Sequence, residues 1–118
     1  MIISCKDMHV YEKSYKCVLE VYKMTKSFPK EEMFALTNQL RRAAYSIPLN
    51  IAEGYGRKSG DKEFKRFLQM ALGSADETQV ILELCKDLGY ISNEIFSNTS
   101  LKYSEIAKML NGLIQKMK

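Results

Sequence analysis

At 118 residues, with 46% hydrophobic and 27% charged side chains, the chain has the size and composition of one folded domain, residues 1–118, able to bury a core. Its formal charge is +4 and its pI about 8.9, a mild basic excess that suits polyanionic partners without requiring them. No apolar run approaches the roughly 20 residues of a membrane span, and the first residues lack a signal-peptide core, so the cytoplasm is the expected compartment.

Four segments carry helical periodicity and none carries sustained strand alternation. In the first, Met8, Tyr11, Tyr15, Val18, Tyr22 and Thr25 step by three and four. Phe28-Pro29 ends it, because a residue before proline is pushed out of the helical region. Pro29 suits the first turn of a second helix, with Glu31 and Glu32 near its positive end. Met33, Leu36, Leu40, Ala43, Ile47 and Asn50 continue that helix. Pro48 lies inside the pattern and predicts a kink, and Gly54 and Gly56 are expected to end the helix in left-handed backbone.

The third segment opens at Ser59-Gly60-Asp61, with Asp61 or Ser59 as the expected cap. Phe64, Leu68, Ala71, Ala75, Thr78, Leu82 and Cys85 form its stripe. Gly73 in its interior is expected to mark close approach of another helix. Leu88-Gly89-Tyr90-Ile91 reads as a glycine-terminated end. Ser92 or Asn93 caps the fourth segment, Asn98-Thr99-Ser100 delays its regular part, and Tyr103, Ile106, Leu110, Leu113 and Met117 form its stripe. Four such helices with short loops predict an all-α fold, a single antiparallel up-down-up-down four-helix bundle. Val10, Leu19 and Val21 on the first helix, and Phe67, Leu72 and Ile81 on the third, lie off these stripes; they signal a broad core face or a second interface.

Catalytic constellations are missing from the sequence. His9 is the sole histidine, so no histidine-based metal cluster forms from one chain and no cofactor is implied. No arginine has a histidine shortly downstream, as bundle-shaped ribonucleases and nucleotidyl transferases need, and there is no Glu-x-x-His pair for a di-iron site. Gly54-x-Gly56-x-x-x-Gly60 follows a helix and fits neither phosphate-loop pattern. The reading is therefore not an enzyme. Cys5, Cys17 and Cys85 form an odd, widely spaced set and read as reduced thiols, with Cys17 and Cys85 as small core hydrophobes.

Charge clusters locally. Arg57, Lys58, Lys62, Lys65 and Arg66 against Asp61 and Glu63 give +3 within ten residues, and Arg41 and Arg42 sit on the preceding helix. These seven basic residues are the candidate nucleic-acid-binding set, since such a field attracts phosphate backbones. Asn50 and Glu53 share a helix face, as do Ser74 and Glu77. Across antiparallel helices these four form a candidate buried polar network fixing register.

The run Ser46-Ile47-Pro48-Leu49-Asn50-Ile51-Ala52-Glu53-Gly54-Tyr55-Gly56-Arg57, with Lys62-x-Phe64-x-x-Phe67-Leu68, Gly73-Ser74-x-x-Glu77 and Leu88-Gly89-Tyr90-Ile91, resembles a known family over roughly residues 33–91. It is that of the four-helix bundle proteins encoded in intervening sequences of large-subunit ribosomal RNA genes. That family is similar in turn to the accessory variability determinant of diversity-generating retroelements. The resemblance implies a homopentamer, and, in the retroelement branch, partnership with a reverse transcriptase and with RNA or DNA. The expected function is a non-enzymatic nucleic-acid-binding or scaffolding protein acting as a homo-oligomer. The alternative is a structural protein-interaction module without nucleic-acid contact.

Overall fold

In the computed structural model four long helices carry the chain: α1 His9–Thr25, α2 Leu36–Arg57, α3 Asp61–Asp87 and α4 Asn93–Gln115. Residues 8–57 and 60–117 are described, without the side chain of Arg57; Cys5, Lys58 and Ser59 lie outside them. Cross-helix bonds show the directions. Arg41 in the first half of α2 reaches Thr25 at the end of α1, Ser74 meets Ser46, and Ser100 near the start of α4 meets Gln79 late in α3. Lys102 of α4 closes the ring of helices on Glu20 of α1. The arrangement is the antiparallel up-down-up-down bundle.

Leu40, Ile47 and Ile51 of α2, Leu68 and Leu82 of α3, and Tyr103, Ile106 and Leu110 of α4 fill the core, with Val10, Cys17 and Val21 from α1. Each large apolar side chain so buried contributes about 1.5–3 kcal/mol. The stripes expected on α3 and α4 match the buried faces. On α1 the phase differs. Its buried face is Val10, Ser14, Cys17, Val21 and Thr25, whereas Tyr15 and Tyr22 are exposed. The two buried hydroxyls that take the core side bond backward: Ser14 to the Tyr11 carbonyl and Thr25 to the Val21 carbonyl. Val10, Val21, Phe67 and Ile81, off the expected stripes, are core residues, Leu72 is half-buried, and Leu19 is exposed.

The helix ends bring further corrections. Pro29 precedes a single 3-10 turn, Lys30–Glu32, and α2 begins only at Leu36, whose N–H donates to the Glu32 carboxylate. That leaves Met33 exposed. α2 runs on through Pro48, Gly54 and Gly56 to Arg57; left-handed backbone appears instead at Gly60 (φ 104°) and Gly89 (φ 82°). Gly54 serves packing: an added Cβ would lie 2.6 Å from Phe67 Cβ. Gly73, expected to do so, has nothing within 4 Å of that position. Gly60 precedes α3 and no side chain caps it, so Asp61 acts only as a first-turn charge. The α3 end is a Schellman closure, with Tyr90 N donating to the Cys85 carbonyl at 2.8 Å and Gly89 N to Lys86 at 3.0 Å. Ser92 caps α4, which stays helical through Asn98-Thr99-Ser100. Cys17 and Cys85 are buried thiols whose pKa burial pushes up to about 11. No helix among the described residues is long and apolar enough to cross a membrane.

Candidate nucleic-acid interface

Alternating directions place the start of α1, the α2–α3 turn and the end of α4 at one end of the bundle. When each helix is divided at its midpoint, the half holding that turn carries eight basic and five acidic residues among those described. The opposite half carries seven basic and eight acidic ones. The bundle is thus electrically polar along its 43 Å axis.

The seven basic residues singled out in the sequence do not form one surface. Lys62 and Arg66 are exposed on the first turns of α3, with Lys65 half-buried beside them. Arg66 Nε donates to Glu63 Oε1 at 2.8 Å, and its guanidinium lies 4.7 Å from the Phe67 ring centroid. The Glu63 contact raises its pKa further and offsets part of its field. Arg57 closes α2 at this end, but its side chain and all of Lys58 lie outside the description. Arg41 and Arg42 are about 24 Å away along α2, at about 1.5 Å per residue. Arg41 is committed to packing: its Nε donates to Thr25 Oγ1 at 2.8 Å and its guanidinium stacks 4.6 Å from the Tyr22 ring centroid. Arg42 opens into a different groove.

Residues that sequence clustering missed come from the other side. His9, Lys13 and Lys16 of α1 and Lys108 of α4 line an open groove of about 590 Å³ with Glu12 and Glu105. Lys13 pairs with Glu105 at 2.8 Å, and this contact lowers the Glu105 pKa. Lys16 and Lys108 have no acidic partner within 4 Å among the described residues. Their signal in the sequence is weak, because they lie some ninety residues apart and meet only once α4 folds against α1.

The polar set behaves differently from expectation. Asn50 Nδ2 donates to the Ser46 carbonyl at 2.8 Å and to Ser46 Oγ at 3.0 Å, and Ser74 Oγ donates to Ser46 Oγ at 3.0 Å. These three half-buried residues pin α2 to α3. Glu53 and Glu77 are exposed in the single chain, at the edge of an open groove of about 580 Å³ that Arg42, Ser46, Asn50 and Ser74 also line. In place of the expected buried network of Asn50, Glu53, Ser74 and Glu77, the structure has a half-buried set of Ser46, Asn50 and Ser74, and the two carboxylates lie a helical turn beyond that contact, exposed. Among the described residues no three His, Cys, Asp or Glu side chains are placed to hold a metal ion. What the basic end can do chemically is present ammonium groups to phosphates.

The sequence matches the family described as 23S rRNA-intervening sequence protein over residues 6–112. Among solved structures, the chain is similar to a protein of unknown function of the S23 ribosomal protein family from Bacteroides thetaiotaomicron VPI-5482. The two are 28% identical with a TM-score of 0.81, over 89% of this chain and 97% of that one. No curated protein sequence matches. With the bundle, its polar pin and the matched length in place, the chain belongs to the 23S rRNA-intervening sequence protein family.

Proposed function

We propose that this protein is a non-enzymatic homo-oligomer that binds the backbone of RNA or DNA through the basic end of its bundle. The observation that carries this reading is the axial charge polarity. Lys62, Lys65 and Arg66 approach from one side, and Lys16 and Lys108 from the other, at the end that holds the α2–α3 turn. Cationic side chains spread over a helical end, with no metal-binding group of His, Cys, Asp or Glu among the described residues, suit a sequence-independent polyanion contact. The family's name refers to ribosomal RNA and the relative's family name to the ribosome, which fits such a partner. A role beside a reverse transcriptase, which the resemblance implies, draws on the same property.

Fluorescence anisotropy with labelled RNA and DNA over a salt series tests the reading. Log affinity should fall linearly with log salt. Neutralising Lys16, Lys62, Lys65 and Lys108 together should flatten that slope by up to about 3–4, while Arg42→Ala should leave it unchanged. No binding of either nucleic acid at low salt by the parent would leave the protein-interaction module as the function; the exposed apolar side chains of α1, α2 and α3 favour that second reading. Light scattering checks assembly, five copies being the number the resemblance implies.

A further inference from the structure

Two adjoining cavities lie between the start of α1 and the end of α4. One is the basic groove of about 590 Å³ that holds Lys16 and Lys108. The other, of about 380 Å³, is an apolar slot lined by Met8, Val10, Met109, Gly112 and Leu113, with no acidic residue. His9 and Met109 line both, so the two form one site with a charged compartment and an apolar one. Gly112 keeps the slot open, since nothing lies within 4 Å of where its Cβ would stand.

An apolar gap at the end of a bundle is ordinary by itself. Here the cations are in register with it. Lys108, Gly112 and the C-cap residue Lys116 follow one another at steps of four along one face of α4. Each step is about 6 Å along the axis. The open glycine therefore has an exposed lysine one turn to either side. Lys16 adds a third cation from α1. None of these three lysines has an ion-pair partner among the described residues. Of the acids in the groove, Glu105 is drawn to Lys13 at 2.8 Å, which leaves Glu12 against three lysines.

Cation, apolar slot and cation in that order match the chemistry of one nucleotide in a strand, a flat and largely apolar base between two phosphates. We propose that the slot receives an unpaired nucleobase of a single strand, with the phosphates on either side of it held by Lys108 and Lys116. Met109 and His9 supply a thioether and an imidazole, groups that pack on aromatic rings. Apart from His9 and Lys116 the slot offers no side-chain hydrogen bond, so it takes any base and reads no sequence. Bases of a duplex stay in their stack, which makes the protein a binder of single strands. The inference rests on the nucleic-acid part of the proposed function and not on its assembly.

Two short DNA strands of equal length and charge, one of thymidines and one abasic throughout, test it by anisotropy at fixed salt. The parent should bind the thymidine strand about tenfold more tightly. Gly112→Leu and Gly112→Met each fill the slot, keep every cation and place a stronger helix former at an exposed position. Both should bind the two strands alike, with the parent's salt slope, and circular dichroism checks that they stay helical. Gly112→Ala is too small to fill the slot and should keep the preference. A parent that binds the abasic strand as tightly as the thymidine strand overturns the base site and leaves the backbone contact standing. Folded Gly112→Leu or Gly112→Met protein that retains the preference places the base elsewhere and overturns it too. A parent that binds neither strand at low salt overturns both the base site and the proposed nucleic-acid function.

Discussion

A methyl group at Gly54 would sit 2.6 Å from Phe67 Cβ and 3.0 Å from Phe64 Cδ1, inside the contact between α2 and α3. Alanine would otherwise gain helix propensity over glycine, by about 0.5–1 kcal/mol. Because the facing atom belongs to the root of a buried side chain, overpacking should win. Gly54→Ala is expected to lower stability by about 1–3 kcal/mol in denaturant unfolding. Gly112, with open space around it on α4, should respond oppositely, gaining up to about 1 kcal/mol as alanine. The polar residues divide the same way. Asn50→Ala removes two bonds to Ser46 and should cost about 1 kcal/mol. Glu77→Ala should stay within about 0.5 kcal/mol at concentrations where the protein is a monomer, since that carboxylate is exposed. The spacing of Asn50, Glu53, Ser74 and Glu77 disclosed two polar faces in the sequence. Which of the four turn inward depends on a rotation of α3 against α2 that spacing does not encode, and nothing in the spacing marks Ser46 as their shared acceptor.

At the level of elements, legibility followed how one-sided each helix is. α3 and α4 carry one dominant apolar stripe, and their buried faces could be read directly. α1 carries two interleaved stripes, one with Tyr15 and Tyr22 and one with Val10, Cys17 and Val21; tyrosine suits either surface. The α1–α2 and α3–α4 connections meet through Glu32, whose Oε2 accepts from Tyr90 Oη at 2.7 Å while Oε1 accepts from Leu36 N at 3.3 Å. Phe28 packs on the Tyr90 ring at a centroid distance of 5.3 Å. Nothing in the sequence pairs residues 58 positions apart. The Glu32 contact, with partial burial, pushes the Tyr90 pKa up to about 12. A raised folded-state value means that this stabilisation is fully present below the unfolded value near 10 and is lost as pH rises through about 12. Stability measured from pH 9 to 12 should therefore fall less steeply in Tyr90→Phe than in the parent. Cys17 and Tyr103, whose pKa values burial also raises, contribute alike in both proteins, so the difference between the curves reports Tyr90 together with its coupling to Cys85.

For the whole molecule, the described part of the charge cluster after α2, Lys62, Lys65 and Arg66, is legible because its members are neighbours in sequence. Lys16 and Lys108 join it only through topology, and Arg41 leaves it because Tyr22 and Thr25 hold its guanidinium. Polarity and assembly then act together. If copies pack side by side in one direction, a long strand of RNA or DNA touches several basic ends at once, and the later contacts form at high local concentration. A short strand that spans one copy gains nothing from assembly. The assembled parent and the same protein diluted to a monomer, as light scattering reports, should thus bind a strand of about six nucleotides with equal affinity and equal salt dependence. On a strand of sixty nucleotides the parent should bind at least about 100-fold more tightly, by multivalent avidity. Its salt slope should also be steeper, because more counterions are released per binding event. Anisotropy titrations with both lengths measure this directly. Equal affinity of parent and monomer for the long strand would mean that the basic ends do not share a face, whatever the number of copies.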